Sequence, residues 1–181
     1  MSVSTPQRLS PRSTEPADRT SHDGAHNPSQ RRSFPGWRWM AVWPAFPVAG
    51  YIGWKVGGRV DAVDTALVGG ALTGAGLGAV QSWAAKGALG RAAGWIGLSA
   101  VGYAVGLAAG AALVGYETDL GALALMGVVS GVALGAAQGL VLTRQGRRAL
   151  ALPWALAMPV LFALGWSVAV ASQLPGESVR A

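Results

Sequence analysis

Residues 120–142 read LGALALMGVVSGVALGAAQGLVL, an uncharged stretch in which glycine recurs at 127, 131, 135 and 139 and only Ser130 and Gln138 carry polar side chains. A helix needs roughly 20 apolar residues to cross about 30 Å of hydrocarbon, and this stretch supplies them. Its residues do not alternate between apolar and polar, as the strands of a transmembrane barrel would. Nor does one face carry charge, as it would on a helix at a soluble domain's surface. The reading is a helix that crosses a bilayer.

Outward from this stretch the pattern repeats. Glu117 and Asp119 precede it, Arg144, Arg147 and Arg148 follow it, and further uncharged runs occupy 92–116 and 149–174. Only 12% of all residues are charged, too few to cover the surface of a soluble domain of this length. The 27 glycines fit the same reading. Glycine costs about 1 kcal/mol relative to alanine in a helix in water, but in lipid the backbone hydrogen bonds have no competitor and small residues let helices approach closely. The chain has no cysteine, which removes disulfides, thiolate metal sites and cysteine nucleophiles. Its net charge of +6 comes from basic residues at the edges of apolar runs, a pattern of membrane orientation and not of nucleic-acid binding.

The fold class is an all-α integral membrane protein of about five transmembrane helices, expected over 38–56, 63–85, 92–115, 120–142 and 149–172, inside a domain spanning 37–174. A short tail, 175–181, follows. Residues 1–36 are polar and contain Pro6, Pro11, Pro16 and Pro28; such a segment cannot bury enough surface to offset its ordering entropy and reads as a disordered cytoplasmic tail. His22 and His26 have the spacing of a metal pair on a helix, but Gly24 and Pro28 argue against that helix. Arg31-Arg32-Ser33-Phe34 has the form of a twin-arginine export signal, yet several apolar segments follow, so these arginines read better as holding the N-terminus in the cytoplasm. Pro44 and Pro47 interrupt the first segment, which is expected as a kinked crossing or a re-entrant piece. With the N-terminus inside, cytoplasmic loops contain Lys86, Arg91, Arg144, Arg147 and Arg148, while the opposite side holds Lys55, Arg59, Glu117, Asp119 and Arg180. Five crossings satisfy the enrichment of cytoplasmic loops in basic residues.

The chain also resembles itself. Gly70, Thr73, Gly74, Leu77, Gly78 and Gln81 recur 57 residues later as Gly127, Ser130, Gly131, Leu134, Gly135 and Gln138. The first, third and fifth segments share, more loosely, a leading basic residue, an early Trp (Trp43, Trp95, Trp154) and a later Gly-aromatic pair. A helix pair is therefore expected to repeat in parallel, each unit entering the membrane in the same direction. The unit G-x-x-[TS]-G-x-x-L-G-x-x-Q, followed by a basic loop and a Trp-initiated helix, resembles that of small, uncharacterised multi-pass membrane proteins found in several bacterial groups. The resemblance covers roughly residues 38 to 172. It implies the architecture, and with it a place in the cell membrane; it implies no substrate, cofactor or catalytic residue.

The candidate site is the pair of glycine-rich helices. Gly70, Gly74 and Gly78, like Gly127, Gly131 and Gly135, stack along one face at four-residue spacing, a groove for another helix or for a flat ligand such as an isoprenoid, quinone or lipid tail. Gln81 and Gln138 should lie at similar depth near the cytoplasmic ends of their helices and form interhelical hydrogen bonds or touch a polar ligand. Thr73 and Ser130 are expected to bond back to the carbonyl one turn earlier, with cavity lining as the alternative. The Trp residues at segment edges read as interfacial anchors, with aromatic ligand stacking as the lesser alternative. No Asp, Glu, Lys, Arg or His falls in the middle of the second to fifth segments, where such residues mark proton relays and charged-substrate sites. No metal site, cofactor, phosphate loop or catalytic triad is expected. The leading functional reading is a non-enzymatic scaffold or accessory subunit whose partners are the lipid bilayer and a homo-oligomer or larger membrane complex. The alternatives are a small transporter or channel for a neutral or hydrophobic molecule, or a lipid- or isoprenoid-binding module.

Overall fold

A computed structural model describes residues 36–171 apart from 41, 87 and 90. The polar N-terminal tail with His22, His26, Arg31 and Arg32, and the C-terminal tail 175–181, lie outside the described residues. The described residues form helices α1 (Gly36–Met40), α2 (Val42–Gly57), α3 (Val63–Ala84), α4 (Ala92–Leu113), α5 (Leu120–Arg144) and α6 (Arg148–Ala171), joined by short turns.

Helices α3 to α6 are long and apolar enough to cross a membrane. The first expected segment, 38–56, falls on α1 and α2, which flank residue 41. Helix α2 by itself has 16 residues, about 24 Å at 1.5 Å per residue. Pro47 lies inside it, as prolines can where neighbouring helices support the backbone in a membrane.

The turns have local causes. Asp119 caps α5, its Oδ1 accepting from the backbone N–H of Gly121 (2.8 Å) and Ala122 (3.0 Å), and these bonds hold its carboxyl below the ordinary aspartate range. Helix α5 ends where Gly146 adopts φ 76°, a left-handed conformation that suits glycine.

Each helix packs against the next in sequence, from α2 to α6. The faces in contact are rich in small and polar residues, with Leu77, Leu107 and Leu134 among the larger side chains buried there, whereas Leu67, Val68, Val101, Val105, Val128, Val132, Leu156 and Val160 point outward and are exposed. Lipid tails are as apolar as leucine, so the exposed apolar face costs nothing in a bilayer, and close backbone approach between small residues helps to hold the helices together. The ends of the bundle nevertheless meet in the centre: Phe162 of α6 packs edge-on against Phe46 of α2, ring centroids 5.2 Å apart, and lies 5.3 Å from the Tyr103 ring of α4.

Candidate functional site: a buried glutamine network between glycine-packed helices

The six candidate glycines all face a neighbouring helix of the same chain. A methyl group added at Gly70 would lie 2.8 Å from Ala104 Cα, at Gly78 3.0 Å from Ile96 Cα, and at Gly74 against the Ser99 carbonyl, so α3 presents all three to α4. Gly127, Gly131 and Gly135 present theirs to α6, where the added carbon would lie 2.9 Å from the Phe162 carbonyl, 2.7 Å from that of Met158 and 2.7 Å from that of Ala155. Helix α4 completes the series, with Gly102, Gly106 and Gly110 against α5. These grooves are occupied by the chain's own helices.

Gln81 and Gln138 come together where α3 and α5 end and α4 and α6 begin. Gln138 Nε2 donates to Gln81 Oε1 (2.8 Å) and to Ser99 Oγ (2.9 Å). Two indoles complete the set: Trp95 Nε1 donates to Gln81 Oε1 (3.1 Å) and Trp154 Nε1 to Gln138 Oε1 (2.7 Å). Trp95, Ser99 and Gln138 are fully buried and Gln81 nearly so. One amide thus uses both its donors and its acceptor, and four helices are joined through five side chains. Each bond replaces an otherwise unsatisfied polar group in an apolar medium, the condition under which buried networks specify a single arrangement.

This corrects the reading of the tryptophans. Trp95 and Trp154 turn inward and serve as hydrogen-bond donors, with their rings packed edge-on at 5.7 Å. Trp37 and Trp43, at 64% and 83% exposure, remain in the position of interfacial anchors. Ser99 was not among the candidates. Its signal was spacing: Trp95, Ser99, Gly102, Gly106 and Gly110 follow one another by three or four residues along one face of α4.

The two hydroxyls part company. Thr73 Oγ1 lies 2.8 Å from the Gly69 carbonyl one turn earlier and also 3.3 Å from the Ala49 carbonyl of α2, tying α2 to α3. Ser130, expected to bond back in the same way, does not; its Oγ is buried without a hydrogen-bond partner. Gly53 and Gly69 account for the second contact of Thr73, because they bring the α2 backbone up to α3.

The charged residues sort by end. Arg38, Lys86, Arg91, Arg144, Arg147 and Arg148 lie at the end that holds the glutamine network, and Lys55, Arg59, Asp61, Asp64, Glu117 and Asp119 at the other. At the basic end the Arg38 guanidinium stands 4.6 Å from the Trp83 ring centroid and donates to the Trp83 carbonyl (3.2 Å), fastening α1 to the last turn of α3. Among the described residues no group of His, Asp or Glu is placed to hold a metal ion.

No family model matches the chain, and no curated protein or solved structure is found to be similar to it.

Proposed function

We propose that this chain is a non-enzymatic integral membrane scaffold or accessory subunit. The observation that carries the reading is the glutamine network: the most versatile polar side chains at intramembrane depth are spent on one another, in bonds that fix how four helices pack. A transport path would keep such groups available to its cargo, and an enzyme would need an acid, base or electrophile near them.

The chain crosses the cell membrane five times in this reading, with the N-terminus in the cytoplasm. Two features support the fifth crossing. Arg38 is fastened to the basic end of α3, while Gly57 lies against Gly69 near the other end, so residues 36–57 run antiparallel to α3 over most of its height. The basic end then faces the cytoplasm, as the distribution of Lys and Arg requires. The parallel helix-pair repeat belongs to the same proposal. It is supported by the way Gln81 and Gln138 each accept from the indole of the helix that follows.

Purification in mild detergent followed by mass spectrometry tests the role. The expected result is a second copy or another membrane polypeptide retained with the chain; a strict monomer with nothing bound overturns it. A second reading, a site for a small neutral or hydrophobic molecule, is favoured by the buried Ser130 hydroxyl that has no partner. It predicts a bound small molecule in native mass spectrometry that is lost in Ser130→Ala.

A further inference from the structure

We infer that the α3–α4 and α5–α6 turns form one surface that binds the phosphodiester headgroups of anionic phospholipids. Lys86 and Arg91 come from the first turn and Arg144, Arg147 and Arg148 from the second, and all are exposed. No carboxylate lies at this end among the described residues, since Asp61, Asp64, Glu117 and Asp119 all sit at the other. Orientation in the membrane asks only that each loop carry positive charge. Here the two loops are also built into one unit. Gln145 Nε2, from the end of α5, donates to the Leu89 carbonyl of the other turn at 2.7 Å. Beneath that bond Ala85, Leu89, Trp95, Val141, Leu142 and Ala151 form a buried apolar cluster. Folding therefore holds five cations on one face.

The place of this face selects the ligand. It terminates membrane-crossing helices, and exposed Trp37, Trp43 and Trp83 flank it; tryptophan settles at headgroup depth. Phosphates are already concentrated there, and each Lys or Arg near an anionic membrane surface adds attraction of about 1 kcal/mol. The inference concerns only this end of the bundle and stands or falls separately from the accessory role.

The test is lipid retention by the full chain in detergent, read by native mass spectrometry with phosphatidylglycerol or phosphatidylcholine of identical acyl chains. Wild type is expected to retain the anionic lipid in preference. Arg147→Gln with Arg148→Gln should lower that retention roughly twenty-five-fold, about fivefold for each charge. Gln145→Leu keeps every cation and should still weaken retention, because the turns are no longer tied. The arginine variant changes only exposed side chains and remains informative should Gln145→Leu fail to fold. Equal retention of the two lipids by wild type overturns the inference. Undiminished retention in the arginine variant does so as well, as does undiminished retention in a folded Gln145→Leu protein. Displacement of bound lipid by an excess of inorganic phosphate would show a free-anion site and overturn the headgroup assignment.

Discussion

Replacing Gln138 with Leu removes the centre of the buried network while nearly conserving side-chain size. Three hydrogen bonds are lost: those donated to Gln81 Oε1 and Ser99 Oγ, and the one accepted from Trp154 Nε1. Interhelical hydrogen bonds in membranes average about 0.6 kcal/mol, which gives about 2 kcal/mol for the set. The Trp154 indole N–H also loses its acceptor at a partly buried position, and an orphaned buried donor costs about 1–3 kcal/mol, so the total should fall between about 3 and 5 kcal/mol. Gln81→Leu removes the bonds from Trp95 and Gln138 and orphans the buried Trp95 N–H, which gives about 2–4 kcal/mol on the same terms. The two changes share one bond, so the double variant should be less destabilised than the sum of the singles by about 0.6 kcal/mol. Equilibrium unfolding in mixed micelles of mild detergent and dodecyl sulfate, followed by far-ultraviolet circular dichroism, measures all three. A Gln138→Leu protein as stable as wild type, or singles whose costs add without coupling in the double variant, would refute the assignment of Gln138 as the hub.

Other expectations follow from the packing and the caps. Gly131→Val should separate α5 from α6 and cost more than about 2 kcal/mol by overpacking, because an added Cβ meets the Met158 carbonyl and Pro159. Gly97→Ala, where nothing lies within 4 Å, should be neutral or slightly stabilising in the same unfolding assay. Thr73→Val removes the hydroxyl between the Gly69 and Ala49 carbonyls and should loosen α2 from α3, seen as faster amide exchange in α2 with α4 to α6 unchanged. Asp119 has a carboxyl depressed by the backbone N–H groups of Ala122 and Gly121. Its contribution is therefore fully present above the ordinary aspartate value of about 3.9 and is lost as the pH falls through the lower folded value. Asp119→Ala should be less stable than wild type at neutral pH, and the gap should close on acidification; a gap independent of pH would count against the charged cap.

Much of the architecture is legible in the sequence because the signals behind it are local. Uncharged length marks α3 to α6, and their bounds follow from where charge and turn residues begin, as at Asp119 and Arg144. The glutamines stand out because amides are rare in such surroundings and because the same pattern of residues surrounds both. Even the first segment is visible, in the apolar run around Pro44 and Pro47.

What the tertiary structure decided concerns partners across helices. A hydropathy pattern gives a glycine groove but not its occupant, and the structure fills the grooves of α3 and α5 with α4 and α6. Edge position made Trp95 and Trp154 look like anchors; the rotation of α4 and α6 aims their indoles at Gln81 and Gln138 and brings Ser99 to the same point. Thr73 and Ser130 occupy matching places in the sequence, yet only Thr73 makes hydrogen bonds, one of them to the backbone of α2. Which residues can form a membrane helix is set along the chain by solvent, whereas which faces meet is set by shape between helices.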